Sequence, residues 1–329
     1  MGAYICTISE SDWDIARNKG VYGNRYYKEG TKKPLSDNLQ LSVMRDLISV
    51  KTGDTVFFHI RVRKTLHGPY VTRSESFWDP TPVWQNPVET FPYRFLFEPH
   101  KDHKNVCSHD AVIRVSSLYE LIDQGEIKSL VTLEFEQNIE RRAVRRIFEE
   151  DATKITRLFY RDFNPSAQIS FNFDPYTPSS LIPLKDRIFK VGAIENAIKA
   201  VISYLLAHKE RSLTTKIGDV HDFVNEFFVA PTTRKNIDIL CKGQGLYAVI
   251  EVKSGVCDKS VLRQALYYAD LLQQRPWFKE RDRKCVVLVA SNFEAETLQL
   301  AQTLNQLGNS KIILIKYKST NNGRWAQFV

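Results

Sequence analysis

Apolar and polar positions in the first half of the chain alternate over short runs, a pattern typical of β-strands. Aromatic and β-branched residues dominate these runs, and both kinds of residue favour strands. Stretches with apolar residues three or four positions apart predict helices between them. The pattern predicts strands at 3–8, 55–62, 70–75, 91–97 and 112–115, and helices at 12–19, 39–48, 118–122 and 139–158.

The second half of the chain has a different order of elements. Residues 188–208 carry apolar residues at helical spacing. Three strands, a helix, a strand, a helix and a last strand are predicted to follow, at 220–230, 236–241, 246–252, 260–273, 285–290, 295–307 and 311–317. Between the halves, 164–184 contains four prolines and several Ser and Asn residues, which favour a linker. We therefore predict a first domain at 1–163, a linker at 164–184 and a second domain at 185–329.

Length, charge and cysteine content narrow the class of protein. The 329 residues fit two domains, and an apolar content of 43% is enough for packed cores. The net charge of +8 favours a polyanionic partner, either nucleic acid or a membrane surface. No apolar run approaches the roughly 18 residues that cross a bilayer, and the first residues lack the pattern of a signal peptide. Five scattered cysteines indicate reduced thiols, so we expect a cytoplasmic protein. We expect no membrane partner.

Chemistry concentrates in the predicted hairpin of 236–241 and 246–252, whose turn is rich in glycine. Alternate residues of a strand share a face, so Glu251 and Lys253 point the same way. Asp238 comes close to them if the two strands pair. Two carboxylates and a lysine at a strand end suit a hard cation and a water that the lysine orients or deprotonates. The alternative is an ordinary surface salt bridge between Glu251 and Lys253.

Asp238, twelve intervening residues and then Glu251-Val252-Lys253 resemble the core motif of the PD-(D/E)XK nuclease superfamily, with Ile237 in place of the proline. The resemblance implies an α/β core with a central mixed sheet flanked by helices. It also implies that Asp238, Glu251 and the carbonyl of Val252 bind Mg²⁺, for which Mn²⁺ can substitute, and that Lys253 positions the water.

Two flanking helices extend this resemblance. Gln264 and Tyr268, four residues apart, are similar to the Q-x3-Y signature of RecB-type members and imply support of the site or contact with phosphate. Glu195, on the preceding helix, corresponds to a glutamate that completes the metal site in nucleases of this class, with Glu226 in reserve. Without that role, Glu195 is a solvated residue at the edge of an apolar stripe.

A loop of the first domain, 77–84, contains two prolines and two tryptophans. Trp78 and Trp84 could fold back as a lid on the domain, or form an aromatic cage that stacks on a flat ligand such as a base. The second interpretation predicts a nucleic-acid pocket.

Scattered residues of the first 160 positions look like the EVE domain, which belongs with the YTH and PUA-like folds. They are Tyr4-Ile5, Trp13, 20–23, Gly53-Asp54, 56–58 and 91–95. The resemblance implies a small curved mixed α/β barrel with a pocket for a base turned out of the duplex. Tyr22 with Asn24, and Trp78 with Trp84, would line that pocket, although the family often has Trp where Tyr22 stands.

Two further clusters leave alternatives open. One is formed by His100, His103, Cys107 and His109, which could bind Zn²⁺ or belong to a basic surface loop. The other is a predicted helical stripe of Arg141, Arg142, Arg145 and Arg146, which could contact phosphate or form ion pairs within a solvated helix.

Together these patterns predict a Mg²⁺-dependent, restriction-type DNA endonuclease, similar to modification-dependent restriction enzymes. The first domain would read a base of double-stranded DNA, plausibly a modified one, by base flipping. Cutting both strands requires two active sites, so we expect a homodimer and no small-molecule cofactor beyond the metal. A repair nuclease, an RNA-directed nuclease and a non-catalytic nucleic-acid reader are the alternatives.

Overall fold

The computed structural model describes the chain apart from residues 29–30, 32, 85–89, 104–105, 107–110, 133–134, 136–142, 162–172, 189–193, 219, 230–234, 280–281, 309–310, 319–326 and 329. The chain divides into two compact units, Met1–Arg187 and Ile188–Val329. Both units combine strands and helices, as the sequence predicts.

The first unit is built around one curled sheet. Its strands are β1 (Ala3–Ile8), β2 (Val21–Asn24), β3 (Thr55–Ile60), β4 (Thr65–Thr72), β5 (Phe77–Trp78), β6 (Tyr93–Pro99), β7 (Val112–Arg114), β8 (Val144–Ile147) and β9 (Ile182–Pro183). Its helices are α1 (Glu10–Lys19), α2 (Asp37–Leu47), α3 (Ser116–Asp123), α4 (Glu149–Arg161) and α5 (Leu184–Ile188), which ends at the first residue of the second unit.

The described strands of this sheet follow the order β8-β1-β3-β4-β6-β5-β9, with β2 paired to β6 and β7 paired to β4. Strand β4 changes partner along its length: 65–67 pair with β7, whereas 70–72 pair with β6. The described path ends at β8 and β9, so these pairings make a branched sheet rather than a closed ring. The predicted barrel is therefore only partly realised in the described residues.

Burial explains why β1 and β3 lie inside this sheet rather than at its edge. Both strands are almost continuously apolar and buried, which suits strands covered on both faces. Helix α4 covers one face, where Ile155 and Phe159 pack in a cluster with Phe57 of β3. The rings of Phe57 and Phe159 stack with centroids 5.9 Å apart.

A glycine sets the connection from α1 to β2. Gly20 ends α1 with φ of 58°, in the left-handed region that disfavours side chains. A Cβ atom at this position would lie 2.5 Å from the carbonyl oxygen of Phe97. This close approach lets Val21–Asn24 pair with β6, where the sequence predicted only a loop.

The arginine-rich segment differs from the sequence prediction of one helix over 139–158. Val144–Ile147 instead form β8, antiparallel to β1, and α4 begins at Glu149. Arg145 and Arg146 therefore lie on a strand and are buried. Arg146 donates a hydrogen bond to the hydroxyl of Tyr4 at 2.6 Å. The prediction of a helical stripe of arginines is therefore wrong for Arg145 and Arg146. The other two predicted members, Arg141 and Arg142, lie outside the described residues.

The predicted linker also differs in its described part, 173–184, which belongs to the first unit. The backbone N–H of Tyr176 donates to the carbonyl of Lys19 at 2.7 Å, and Ile182–Pro183 pair with β5. One of the prolines that suggested a linker, Pro183, lies in the edge strand β9, where one side of the strand needs no backbone donor. The boundary between the units falls at Arg187 and Ile188.

The second unit has a six-stranded sheet in the order β10-β11-β12-β14-β16-β17. The strands of this unit are β10 (Val220–Phe228), β11 (Asn236–Gly243), β12 (Leu246–Val252), β13 (Val256–Cys257), β14 (Arg283–Ala290), β15 (Asn292–Phe293), β16 (Lys311–Lys318) and β17 (Gln327–Phe328). Strands β10 to β12 are antiparallel, and β12, β14 and β16 are parallel. The predicted mixed sheet is confirmed.

Four helices of the second unit are described: α6 (Glu195–Ala207), α7 (Arg211–Ile217), α8 (Lys259–Gln273) and α9 (Ala295–Gln306). Helix α6 packs on β10 to β12, α8 on β12 and β14, and α9 on β16. The predicted order of helix, three strands, helix and strand is therefore confirmed. Across the described chain, no helix has the length and apolarity that crossing a membrane would require.

Candidate functional site

Two acidic side chains face each other across the β11–β12 hairpin. Ile239 pairs with Ile250, and the same register places Asp238 opposite Glu251. The backbone N–H of Asp238 lies 3.4 Å from Glu251 Oε1. Directly opposite residues of antiparallel strands share a face, so the two carboxylates occupy one site. Both are buried, with 9% of Asp238 and 4% of Glu251 exposed.

Burial makes both carboxyl groups of this pair weaker acids than usual. It raises the pKa of Glu251 to about 8, and the nearby charge of Asp238 adds to the shift. Burial also raises the pKa of Asp238, although Lys199 and the backbone N–H of Val252, 2.9 Å from Asp238 Oδ2, oppose the shift. Two carboxylates in one buried site favour the uptake of a proton or a cation.

Glu251→Gln should flatten the dependence of stability on pH in metal-free protein. The pKa of Glu251 is higher in the folded state than its ordinary value of 4.5. The contribution of Glu251 to folding stability is therefore complete below pH 4.5 and is lost as the pH rises toward 8. Glutamine mimics the protonated acid, so the variant should exceed the wild type at pH 8 by about 1 kcal/mol or more. Urea unfolding in EDTA across this range measures the slope.

Asp270→Asn, at an exposed carboxylate that pairs with Lys284 on the same unit, is the control and should keep the wild-type slope. An equal slope in Glu251→Gln and the wild type would contradict the assigned acidity.

Helix α6 adds a glutamate and a lysine to the site. Lys199 Nζ lies 3.0 Å from Glu195 Oε1 and 2.6 Å from Asp238 Oδ1. Burial lowers the pKa of Lys199, but the charges and hydrogen bonds of Asp238 and Glu195 outweigh it, so the net shift is upward and the ammonium form persists. Sequence reasoning missed Lys199. The i, i+4 spacing from Glu195 predicts a helical ion pair, but nothing in the sequence indicates Asp238 as its third member.

Lys253 completes the group of charges. Its Nζ lies 3.7 Å from Glu195 Oε2, and its side chain is 35% exposed. The backbone N–H of Lys253 donates to Val289 O at 2.8 Å, which fixes the residue at the end of β12. Glu195 therefore touches two lysines, one buried and one open to solvent.

The donor chemistry of Asp238 and Glu251 fits a hard cation. The arrangement fits only in part, because the ammonium of Lys199 lies between Asp238 and Glu195. Within the described ranges, no three or more His, Cys, Asp or Glu side chains converge in a way that could hold a metal ion. For Val252 the structure shows the N–H on Asp238, and the role of its carbonyl as a ligand stays a prediction.

Gln264 and Tyr268 meet on α8, where Gln264 Nε2 donates to the hydroxyl of Tyr268 at 2.6 Å. Tyr268 is buried and Gln264 is exposed. Their shared helical face is as predicted, whereas their contact with phosphate or lysine stays a prediction. Glu226, the reserve candidate, lies half-buried on β10 with φ of 47°.

The proposed base-pocket residues lie on opposite faces of the first unit's sheet. Trp78 pairs with Tyr93 and Asn24 pairs with Tyr93 from the other side, so these three share one face. Trp84 instead packs where a Cβ of Gly23 would point, on the opposite face. A cage of Trp78 with Trp84 is therefore not formed, because neighbouring residues of a strand point to opposite sides.

Tyr22 is a core residue of the first unit. Its ring packs against Phe58 and Phe95, and its hydroxyl donates to the carbonyl of Ala143 at 3.0 Å. Only 1% of Tyr22 is exposed, so its ring presents no free face for stacking.

Trp78 remains half-buried in a cluster of aromatic rings. Tyr26 and Tyr93 contact it edge-on at centroid distances of 4.9 and 5.1 Å. The guanidinium of Arg187 lies 3.9 Å from the ring centroid, a planar cation in the position that a stacked base would take. We call Trp78, Tyr26, Tyr93 and Arg187 the aromatic cluster.

The histidine-rich insert is described only in part. The rings of His100 and His103 lie 4.6 Å apart, and His103 Nδ1 is 2.5 Å from the hydroxyl of Tyr160. Cys107 and His109, which the zinc alternative also needs, lie outside the described residues.

Comparisons with known proteins return distant similarities. No family model matches the sequence, and no curated protein matches it. A repair endonuclease from Pyrococcus abyssi is similar with 15% identity and a TM-score of 0.26, over 45% of this chain and 51% of that one. EndoMS bound to double-stranded DNA is similar with 15% identity and a TM-score of 0.26, over 45% of this chain and 50% of that one.

Human THYN1 in complex with DNA containing 5-methylcytosine is similar with 11% identity and a TM-score of 0.27, over 48% of this chain and 98% of that one. This chain thus aligns with about half the length of each of the two endonucleases. TM-scores this low do not establish a shared fold, so the proposals below rest on the residues of this chain.

Proposed function

We propose that this chain is a Mg²⁺-dependent DNA endonuclease whose second unit hydrolyses phosphodiester bonds. The observation that carries the proposal is the buried Asp238–Glu251 pair, with the half-exposed Lys253 at the end of the same strand. Burying two carboxylates together is costly unless they are paired or used, and a phosphodiester hydrolase uses such a pair to bind a cation. Each of these residues also matches the motif of PD-(D/E)XK nucleases.

Each side chain has a role in this mechanism. Asp238 and Glu251, with the carbonyl of Val252, would hold Mg²⁺. When bound, the ion would stabilise negative charge on the phosphate and lower the pKa of a bound water. Lys253 would hold the attacking water and a phosphate oxygen by donating hydrogen bonds. Glu195, 3.7 Å from Lys253 Nζ, orients that ammonium. Gln264 and Tyr268 would contact phosphate or support the site.

The first unit would select the DNA. Trp78 and Asn24 lie on one face of its sheet and are the candidates to receive a modified base turned out of the duplex. Stacking of the base on an aromatic ring contributes roughly 1–3 kcal/mol and would offset the free-energy cost of flipping it. Two copies of the chain, related as a homodimer, would cut both strands.

The experiment is a cleavage assay with the full chain, Mg²⁺ or Mn²⁺, and DNA from sources with and without modified cytosine. We expect cleavage only with a divalent ion, and preferentially of the modified DNA. Equal cleavage of both DNA samples would contradict recognition of a modified base. Cleavage in EDTA would contradict the requirement for a metal ion. A parallel reaction with RNA tests the RNA-directed alternative.

Trp78→Ala should weaken binding of modified DNA about 5- to 150-fold, while the affinity of the variant for unmodified DNA stays unchanged and salt-sensitive. The reason is that the half-buried ring would contribute stacking but no phosphate contact. Fluorescence anisotropy with paired modified and unmodified duplexes measures the ratio. Trp84→Ala is the comparison: Trp84 is 5% exposed, so its loss should instead cost about 3–5 kcal/mol of stability. An unchanged ratio in Trp78→Ala would exclude the aromatic cluster as the pocket.

A non-catalytic nucleic-acid reader is the second candidate. The observation that favours it is Lys199, which neutralises Asp238 and Glu195 without any metal. Absence of cleavage with Mg²⁺ or Mn²⁺ on both DNA and RNA, together with retained DNA binding, would support this function.

A further inference from the structure

A lysine occupies the centre of the candidate site. Lys199 Nζ is 2.6 Å from Asp238 Oδ1 and 3.0 Å from Glu195 Oε1, and only 6% of the residue is exposed. Its helix is held in place by neighbouring core residues, since Ile198 and Ile202 are fully buried. The backbone that carries Lys199 is therefore fixed in the core of the unit.

Both oxygens of Asp238 are already engaged. Oδ1 contacts Lys199, and Oδ2 accepts the N–H of Val252 at 2.9 Å. The backbone donor is fixed by the β12 strand, whereas the ammonium sits on a stem of four rotatable carbons. A divalent ion can most readily take Asp238 Oδ1 as a ligand by displacing Lys199 Nζ from it.

We propose that Lys199 is an internal counterion that occupies the cation position at Asp238 and must withdraw before a divalent ion binds there. The proposal rests on the proposed function in its assignment of Asp238 as a ligand, and it adds that Lys199 sets the metal affinity of the site. Glu195 provides the alternative contact, because it lies one helical turn away and can keep Lys199 paired.

Charge balance supports this role. Without a cation between them, the carboxylates of Asp238 and Glu195 would repel each other, since both contact the same ammonium. Lys199 removes that repulsion in the metal-free protein, and an incoming divalent ion would replace it. The same ammonium therefore stabilises the empty site and opposes occupation by metal.

The test is Lys199→Met in the full chain, because methionine keeps an unbranched stem and removes the charge. Mn²⁺ is titrated into metal-free protein at neutral pH and followed by calorimetry and by the electron spin resonance of free Mn²⁺. We expect Lys199→Met to bind one Mn²⁺ about tenfold tighter or more than the wild type. The melting temperature of the metal-free variant should be lower than that of the wild type. Mn²⁺ should raise the melting temperature of the variant by more than it raises that of the wild type.

Two matched variants isolate the contact with Asp238. Lys253→Met removes the other lysine that touches Glu195 but leaves Lys199 on Asp238, so it should not produce the tenfold gain. Lys199→Met combined with Asp238→Asn should lose the gain, because the ligand is gone. If Lys199→Met does not fold, Lys199→Gln replaces it, and Lys199→Arg should retain weak Mn²⁺ binding.

Equal or weaker Mn²⁺ binding in Lys199→Met, or in the Lys199→Gln that replaces it, overturns the proposal, and so does absence of Mn²⁺ binding in every variant. Tighter binding in Lys199→Met without nuclease activity in the wild type would support the counterion role and overturn the proposed function. The two ideas can therefore fail separately.

Discussion

Lys253→Ala is expected to lower the rate of DNA cleavage by about a hundred- to a thousandfold or more, while DNA affinity stays within about twofold. The ammonium would stabilise charge that develops on the phosphate, and the residues that follow it, Ser254 and Gly255, carry no charge. The side chain is 35% exposed and 3.7 Å from Glu195, so its removal costs little stability. The loss should therefore appear in the chemical step.

Single-turnover cleavage with Mg²⁺ measures this rate, and fluorescence anisotropy measures affinity on the same duplex. Lys259→Ala is the matched control, because Lys259 is an exposed lysine that pairs with Glu296 on the same unit. It should cleave at the wild-type rate. Wild-type cleavage by Lys253→Ala would show that the site has been assigned to the wrong residues.

The second unit was largely predictable from its sequence, because its strands are short apolar runs with clear ends. The register of β11 and β12 follows from the glycine-rich turn, where Gly245 has φ of 62°. That register alone brings Asp238 opposite Glu251. A local pattern therefore fixed the part of the site that lies on adjacent strands.

Lys199 could not be predicted in the same way. Its partner Asp238 is 39 positions away, and the contact depends on how α6 packs against β11. Helical spacing indicates its pairing with Glu195 and nothing more. Contacts between elements that are distant along the chain depend on tertiary packing, which a single sequence pattern does not contain.

Tertiary pairing also overrode local propensity in the first unit. Residues 144–147 are compatible with a helix, yet they pair with the edge of β1 and bury Arg146 against Tyr4. In the same way, Trp78 and Trp84 are six residues apart in one loop but lie on opposite faces of the sheet. The sequence could supply the aromatic residues of a pocket but not the face on which each would lie.

The loop that carries Trp84 depends on a buried ion pair. Arg94 and Asp79 are both fully buried, with Arg94 Nη1 3.6 Å from Asp79 Oδ2. The hydroxyl of Tyr176 accepts a hydrogen bond from Arg94 at 2.9 Å and donates one to Asp79 at 2.6 Å. Burial would raise the pKa of Asp79, but hydrogen bonds from Tyr176 and Thr81 outweigh it, so the pKa is lowered and the carboxylate stays charged.

Arg94→Met should therefore lower the local stability of the first unit by about 3–5 kcal/mol, because it leaves the charge of Asp79 buried without its partner. Arg94 also donates to the carbonyls of Phe91 and Thr90, at 3.0 and 2.6 Å, and its guanidinium lies 5.3 Å from the ring centroid of Trp84. Its loss should release both ends of the loop. Hydrogen exchange of peptides from β5 and β6 measures the change, with peptides from β11 and β12 as the internal reference.

Two variants separate the buried charge from the hydrogen bonds around it. Tyr176→Phe removes one hydroxyl and should cost only about 1–2 kcal/mol. Asp79→Asn combined with Arg94→Met removes both charges, so its cost should fall well below the sum of the single effects. If the two substitutions instead add, the ion pair contributes no coupling. The carbonyl contacts of Arg94 would then account for its effect on the loop, and Asp79 would tolerate burial without a cation.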